Sequence, residues 1–452
     1  GTTGSNLYQY TTTYHADSGR LQLAIKQVDT TLPAVASGNN GSGSSDVTKR
    51  YLNKDGTLAF ERSPSGLITY HAYTNGLVTK LIEDADTGLN QAGQDFYQVT
   101  IPDGFASSGT EVHHKTIYAY DAQGRQTQVT ADDRTQLTYW TKLGDQRPVM
   151  LVFNDYDTSP TTKYYGPVRY TVTNHAGRVE VEGVIALTNN ESTAALTSFI
   201  DETDADPITA VDVGTVARLQ TNHYDEPGLK LEEAREYFAI PSSEPGTDGT
   251  HYDPTKYGYD NMGRQWREKE PHGTIYRTVF DKLGRVTERW IGTNDYSFSG
   301  GEPSGTDNMV KSESLEYDSG NDKANSYLTK RTLYVQDSDT GKRETTYTND
   351  LRGNVLLETS PAAPYAFHKY DNMSRRIATG LFSSTANIDV TTDDPTTETS
   401  NRLALSESSY DELGRSWREK RHKIDASDGS DDDNLEILHW YDADGRLVKT
   451  DG

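Results

Sequence analysis

The chain has 452 residues, with 44 Lys and Arg against 68 Asp and Glu, so its formal net charge is −24 at neutral pH. This balance argues against nucleic acid and anionic membranes as partners, because both carry negative charge. Cysteine is absent, which excludes a disulfide scaffold and thiolate chemistry, and a hydrophobic fraction of only 33%, Tyr included, predicts a thin sheet with solvent on both faces.

The first third of the chain predicts hairpins separated by loops. Residues 1–30 predict an opening hairpin around a turn at 17–20, and the Gly- and Ser-rich run 37–45 predicts a flexible loop. Strands in a regular array are expected over 51–86. Another unit is expected over 115–130, where apolar and polar residues alternate.

In the middle of the chain, over 137–219, the regular spacing of turn signals is lost. The run 149–153 is the most apolar of this region and predicts a buried strand, and a hairpin is expected around 174–177. Residues 189–209 lie between turn-rich flanks and could form a short helix. The region is therefore either an insertion or a stack of decayed repeats.

The array returns after residue 219 and continues to the end, interrupted by loops at 297–307, 389–401 and 425–434. These changes divide the chain into three parts. We expect hairpin repeats over 1–136, degenerate repeats or an insertion over 137–219, and hairpin repeats over 220–452.

One six-residue pattern recurs in the array: an aromatic residue, Asp, two variable residues, Gly and Arg. Asp and Gly at these positions favour a tight turn in which Gly has a positive φ. A second turn signal, Pro271-His272-Gly273, lies midway between two copies and leaves room for a strand on either side. The motif residues are Tyr120, Asp121, Gly124, Arg125, Tyr259, Asp260, Gly263, Arg264, Asp281, Gly284, Arg285, Tyr410, Asp411, Gly414, Arg415, Tyr441, Asp442, Gly445 and Arg446.

The repeated pattern predicts an all-β fold, an array of antiparallel β-hairpins with Asp turns along one edge and Pro-containing turns along the other. We expect structural roles for the motif residues. The Asp side chain can accept hydrogen bonds from backbone N–H groups of its own turn. The Arg begins the next strand, from which it can reach the Asp of a neighbouring turn.

These residues resemble the YD-repeat, or Rhs-repeat, family, whose motif is Tyr-Asp-x-x-Gly-Arg-Leu followed by a β-strand. Five copies match closely, and most of the chain matches loosely. The known members are bacterial Rhs and Tc-type toxin shells, polymorphic toxins and the teneurin adhesion proteins. The resemblance implies a β-spiral or shell-like sheet in a secreted or cell-surface protein. The Asp-Pro-x-Gly and Tyr-x-x-Asn-Pro segment that closes the toxin shells, and the self-cleavage aspartates attached to it, have no counterpart in this sequence.

The resemblance implies a non-enzymatic structural protein that forms part of an encapsulating β-shell. Its partners would be further repeats of the same parent chain or other copies, and an enclosed cargo domain. The alternative is an extracellular fibre, stalk or adhesin of stacked repeats that binds surface glycans. A third class, an enzyme within 137–219, has no support from nucleophile, zinc, phosphate-loop or dinucleotide motifs, so we predict no catalytic centre.

No cofactor is predicted, although two acidic stretches leave a weak possibility of calcium. Counting from Asp425, Glu436 falls at the twelfth position of an EF-hand loop, but Ser430 stands where that loop requires Gly. Asp201, Asp204 and Asp206 form the second acidic stretch. Solvated acidic loops are the favoured interpretation of both stretches.

The two ends of the sequence would form one passable repeat if they were joined. We therefore expect both terminal strands to be sheet edges, and we expect the chain to continue in a longer parent or to stack on another copy. The start of the chain has no signal-peptide pattern, and no apolar run approaches the roughly 20 residues of a membrane span.

Overall fold

The structure is a computed structural model that describes residues 8–15, 24–131, 134–158, 161–295, 308–318, 326–335 and 341–452. Over these ranges the chain forms one sheet of 29 strands and no α-helix, which confirms the predicted all-β class. Three short 3₁₀ segments accompany the strands, at Ser37–Asn39, Thr188–Asn190 and Leu196–Ser198. The turn expected at 17–20 and the loop expected at 297–307 lie outside the described residues.

The strands run antiparallel, and each pairs with the next along the chain, apart from the short β13, which pairs with β11 while β12 pairs with β14. The first fifteen are β1 Gln9–Tyr14, β2 Ile25–Thr31, β3 Val47–Leu52, β4 Leu58–Arg62, β5 Ile68–Thr74, β6 Leu77–Glu83, β7 His114–Tyr120, β8 Gln126–Ala131, β9 Arg134–Lys142, β10 Pro148–Asp157, β11 Lys163–Thr173, β12 Val179–Ala186, β13 Glu191–Ser192, β14 Thr215–Tyr224 and β15 Leu231–Tyr237. The others are β16 Tyr252–Tyr259, β17 Gln265–Lys269, β18 Ile275–Phe280, β19 Val286–Gly292, β20 Met309–Tyr317, β21 Leu328–Leu333, β22 Arg343–Asn349, β23 Val355–Thr359, β24 Tyr365–Tyr370, β25 Arg376–Phe382, β26 Arg402–Tyr410, β27 Ser416–Ile424, β28 Asp431–Tyr441 and β29 Leu447–Asp451.

Successive connections alternate between the two edges of this ribbon. One edge, which we call the Asp-turn edge, carries tight turns that begin at Asn53, Asp121, Leu143, Asn174, Asp225, Asp260, Asp281, Asp350, Asp371, Asp411 and Asp442. The opposite edge, which we call the loop edge, carries tight turns that begin at Ser63 and Glu270 and longer connections at 32–46, 84–113, 187–214, 238–251 and 383–401. Two different edges are what the repeated pattern predicted.

A β-bulge follows each motif turn. In the hairpin around Asp281, Phe280 pairs with Val286 and Val279 pairs with Glu288, so Thr287 is left without a partner in the ladder. The same shift occurs at the corresponding place in the other motif hairpins. An extra residue bends the bulged strand and increases its twist, so regular bulges on one edge bend the whole ribbon in one sense.

The loop-edge connections fold over one face of the sheet, which we call the covered face. Residues 84–113 bring Phe96 and Phe105 onto Phe60, with ring centroids 6.3 and 5.7 Å apart. Residues 187–214 bring Phe199 onto Phe153 in a larger buried cluster. The expectation of solvent on both faces is therefore wrong for the covered face, because the inserted loops carry the apolar side chains that cover it.

Strands β9–β14 continue the hairpin order across the middle region. The predicted buried run lies in β10, where Val149, Leu151 and Phe153 are fully buried. The helix considered for 189–209 is wrong. Asn189 has a φ of 54°, and the carboxylates of this segment accept hydrogen bonds from backbone N–H groups two residues ahead, which competes with helical bonding.

The accessible surface is large for the chain length. It measures 25,792 Å², whereas a compact monomer of 452 residues exposes about 17,000 Å². In the described residues, β1 pairs only with β2 and β29 only with β28. No helix in the described part is long and apolar enough to cross a membrane.

Candidate functional site

The motif turns have one shared geometry, which the turn at Asp260 illustrates. The Asp260 N–H donates to the Arg264 carbonyl at 3.0 Å, and the Gly263 N–H donates to the Asp260 carbonyl at 2.9 Å. Asp260 Oδ1 accepts the N–H groups of Met262 and Arg264, both at 2.9 Å, and Oδ2 accepts Arg264 Nε at 2.7 Å. The Asp side chain thus closes its own turn and holds the Arg that follows.

The other motif turns repeat these contacts. The full set, with the Arg Nε bond at 2.7 Å, is present at Asp121, Asp281, Asp371 and Asp411. At Asp442 the side chain accepts the backbone N–H groups of Asp444 and Arg446. The carboxylate is therefore a structural element of each repeat.

Hydrogen bonding lowers the pKa of the turn carboxyls of Asp260, Asp281 and Asp371. For Asp260 the largest cause is the backbone N–H of Arg264, and the pKa lies below its ordinary value. For Asp281 and Asp371 burial is the largest single influence and raises the pKa, but the bonds from the following Arg together outweigh it, so the pKa is again lowered. These turns are most stable with the carboxyl ionised.

The motif glycines all have positive φ, between +79° and +84° at Gly124, Gly263, Gly284, Gly414 and Gly445. A residue with a side chain is strained in this conformation. At Gly284 and Gly414, an added Cβ would also lie 3.4 Å from the guanidinium Nη1 of the preceding repeat's Arg264 and Arg375.

The Arg residues of five turns each stack on an aromatic ring of the next repeat. The guanidinium-to-ring distances are 4.5 Å for Arg264–Phe280, 4.6 Å for Arg285–Tyr317, 4.7 Å for Arg375–Tyr410, 4.6 Å for Arg415–Tyr441 and 5.2 Å for Arg125–Trp140. The expected contact with a neighbouring turn's Asp occurs at Arg285, whose Nη1 bonds Asp318 Oδ2 at 2.7 Å. Sequence analysis missed the stacking, although the fixed aromatic and Arg positions carried its signal.

The hydroxyl of the motif Tyr also forms a hydrogen bond with the preceding repeat. It donates to a carbonyl at the start of the strand after the preceding turn, at 2.8 Å for Tyr120–Val78, 2.9 Å for Tyr224–Val179, 3.2 Å for Tyr410–Arg376 and 2.7 Å for Tyr441–Ser416. At Tyr410 and Tyr441 the ring thus lies between an Arg and a backbone carbonyl of the preceding repeat, which fixes the spacing of these turns.

Charged contacts fasten the covering loops to the sheet. Asp95, in the loop 84–113, lies 2.7 Å from Lys80 Nζ, 3.0 Å from Lys115 Nζ and 3.3 Å from His113 Nε2. Burial raises the pKa of Asp95, but the hydrogen bonds from both lysines and the histidine outweigh burial, and the pKa falls to about 2. Asp95 therefore anchors the loop as a carboxylate.

The ribbon returns on itself at a contact that we call the seam. Asp444, in the last motif turn, accepts the Ser65 N–H at 3.1 Å and the hydroxyl groups of Ser63 and Ser65. Ser63 and Ser65 belong to a loop-edge turn near the start of the chain, about 380 residues earlier. The Asp-turn edge of the last hairpins thus lies against the loop edge of the first.

A second set of hydrogen bonds extends the seam. Glu412 accepts the Ala36 N–H at 3.3 Å and Asn39 Nδ2 at 3.0 Å, and Asn40 Nδ2 donates to the His439 carbonyl at 3.0 Å. One full turn of the ribbon, from the seam at β5 to the seam at β28, contains 23 strands when β13 is not counted. At about 4.8 Å per strand it measures roughly 110 Å around, equivalent to a circle about 35 Å across.

The acidic stretches considered for calcium make local hydrogen bonds. Asp425 Oδ1 accepts the N–H and hydroxyl of Ser427, and Asp428 Oδ1 accepts those of Ser430. Asp201 bonds Thr203 in the same way. Among the described residues no group of three or more His, Cys, Asp or Glu side chains is arranged to hold a metal ion.

No protein-family description matches the chain, and no curated protein matches it. Solved structures do match. A TcdB2–TccC3–Cdc42 complex is 12% identical over 98% of this chain and 24% of its own, with a TM-score of 0.36. The Photorhabdus luminescens Tc holotoxin pore with a TccC3 mutation is 12% identical over 98% of this chain and 24% of its own, with a TM-score of 0.35. A TcdB2–TccC3 structure is 14% identical over 99% of this chain and 23% of its own, with a TM-score of 0.30.

This chain therefore spans about a quarter of the length of the solved chains it matches. This chain is similar to those solved chains over nearly its whole length.

Proposed function

We propose that the chain is a non-enzymatic structural protein, secreted or displayed at a cell surface, whose coiled ribbon forms part of the wall of an encapsulating β-shell. The seam carries this proposal, because a ribbon whose last hairpins contact its first hairpins surrounds a space. The large accessible surface supports it as well, since a wall exposes both an inner and an outer side.

The uncovered face of the sheet, which we call the open face, is the better candidate for the inner side. On β9–β14 it forms a concave pocket of about 490 Å³ lined only by strand residues. Its floor includes Met150 and Val152, which alternate along β10 with the buried Val149, Leu151 and Phe153 of the covered face. A single sheet makes such a pocket when it curves toward that face.

The partner that this arrangement fits is an enclosed cargo domain, held on the open face. The motif Asp and Arg residues take no part in chemistry under this proposal, because their polar atoms are used within and between turns. The purified chain should accordingly show no turnover of glycan, peptide or phosphoester substrates.

The rival function is an extracellular stalk or adhesin that binds surface glycans. In a stalk built from an extended ribbon, the two ends of the chain would lie far apart. The hydrogen bonds between Glu412 and Asn39 and between Asp444 and Ser65 favour the coil over that arrangement.

The absence of cysteine allows a direct test of enclosure. Single cysteines at Arg218→Cys on the open face and Lys256→Cys on the covered face would be labelled with a small maleimide and with a maleimide on a long polyethylene glycol chain. Both sites should react equally with the small reagent, and only the Arg218→Cys site should react slowly with the large one. Equal rates at both sites with the large reagent would overturn the proposal.

A further inference from the structure

Large apolar side chains are exposed along one part of the Asp-turn edge. Met262 is 75% exposed, Leu283 66%, Leu351 100% and Met373 74%, and Leu229 at the neighbouring turn is 56% exposed. We call these five residues the apolar rim. Adjacent turns on this edge are two strands, or about 10 Å, apart, so Leu229, Met262 and Leu283 form one strip and Leu351 and Met373 form a second. Exposed apolar strips of this kind mark interaction surfaces.

The turn geometry does not require these apolar residues. Earlier turns on the same edge have Asp55, Gln123, Asp145 and Ala176 at comparable positions between the first turn residue and the end of the turn. The edge therefore exposes no large apolar side chain at these positions of the early turns, whereas the turns between 225 and 375 do, although both sets form the same kind of turn.

The seam indicates what such an edge contacts. Leu413 occupies the same turn position as Met262, Leu283 and Met373, but it is only partly exposed. Its neighbour Glu412 accepts hydrogen bonds from Ala36 and Asn39 on the loop edge. An apolar residue of the Asp-turn edge is thus covered where a loop edge lies against it.

The loop edge offers an apolar counterpart on the same half of the ribbon. The connection between β23 and β24 exposes Pro361, Ala362, Ala363 and Pro364 in succession, and the turn between β17 and β18 exposes Pro271. These residues lie on the edge opposite the apolar rim.

We propose that the apolar rim binds the loop edge of a second copy of this chain, at Pro271 and at residues 361–364. The two surfaces differ, so the contact is head-to-tail and each added copy leaves one free surface of each kind. The product is an open stack, continuing between copies the edge-to-edge contact that the seam makes within one copy. Because each copy carries a net charge of −24, added salt should strengthen the stack by screening repulsion.

The test uses sedimentation velocity on the full chain over a range of protein and salt concentrations. A rim variant carries Met262→Gln, Leu283→Gln, Leu351→Gln and Met373→Gln. A loop-edge variant carries His272→Glu and Ala362→Glu. A control variant with Gln123→Lys and Ala176→Lys changes the early turns of the Asp-turn edge. Circular dichroism establishes that all three variants remain folded.

The wild-type and control chains should form oligomers that grow with concentration, and each of the other variants alone should remain monomeric. An equimolar mixture of the rim and loop-edge variants should form dimers that do not grow, because each partner retains one intact surface. A wild-type chain that stays monomeric at its highest soluble concentration would overturn the proposal. So would a rim variant that still associates, or a mixture that remains monomeric.

Discussion

The hairpins of β16–β19 and the middle strands β9–β14 belong to one sheet but are stabilised in different ways. Around the motif turns few side chains are fully buried, and consecutive repeats are joined by Arg stacking and by hydrogen bonds at the edge. The middle strands lack the motif, yet they carry the larger of the two buried hydrophobic clusters, which residues 187–214 cover. A repeat can therefore lose its edge contacts if an inserted loop supplies a hydrophobic core in their place.

The largest expected effect is in the middle cluster. Phe153→Ala should lower the free energy of unfolding by about 3–5 kcal/mol, because it leaves a cavity among fully buried side chains. Urea denaturation measures the change. Tyr276→Ala, at a side chain 41% exposed on a motif hairpin, is the matched control and should cost much less. Equal losses would show that the two regions do not differ in the way described.

A smaller effect is expected at the motif turns. Gly263→Val should destabilise the chain by roughly 1–2 kcal/mol, because Val is strained at a φ of +79°. Gly38 has an ordinary φ and open space around it, so Gly38→Val is the control. Thermal unfolding measures the stability of both variants. Equal stability would show that the positive φ at Gly263 does not make Val destabilising there.

The stacking of Arg on the next repeat should contribute about 1 kcal/mol or less per contact. Arg415→Lys keeps the charge but loses the planar contact with Tyr441 and the directed bond to Asp411. Arg446 has no ring stacked on it in the described part of the chain, so Arg446→Lys serves as the control. If the two variants have the same free energy of unfolding, the stacking does not stabilise the repeats.

The two regions should also respond in opposite directions to acid. The folded-state pKa of Asp260, Asp281 and Asp371 is lowered, so their stabilisation is present above the ordinary carboxyl pKa and is lost as pH falls through the lowered value. In the connection 238–251, which contacts the middle region through a hydrogen bond from the Glu244 N–H to Asp206, burial raises the pKa of Glu244. The cost of ionising it in the folded state is relieved as pH falls through that raised value.

Hydrogen exchange at pH 7, 4 and 2.5, corrected for intrinsic rates, measures this difference. Protection should fall first in the motif hairpins and persist in β9–β14. A uniform loss of protection over both regions would contradict the prediction.

The sequence was sufficient for features set by neighbouring residues. The Asp and Gly spacing predicted the turns, and the alternation after Lys115 predicted a strand that the structure places at β7. The covering loops could not be predicted in this way. Phe96 and Phe105 are isolated apolar residues in irregular stretches, and only the folded chain shows that they pack on Phe60.

The seam was equally inaccessible from the sequence. Its partners, such as Glu412 and Asn39, are 373 residues apart, and Glu412 occupies one of the two variable positions of its motif. Their contact depends on the bend accumulated over many bulges, a quantity that no single repeat reveals. The helix considered for 189–209 failed for a local reason, because the Asp side chains there compete for backbone N–H groups.

The central claim is that the ribbon coils until its last Asp-turn edge meets its first loop edge. Cysteines at Pro64→Cys and Ala443→Cys lie beside the seam residues Ser63, Ser65 and Asp444 without replacing them. A short bismaleimide should cross-link this pair within one chain, whereas Pro64→Cys with Gln123→Cys, on opposite edges of the ribbon, should remain unlinked. Failure of the Pro64–Ala443 pair to cross-link in the folded monomer would contradict the coil.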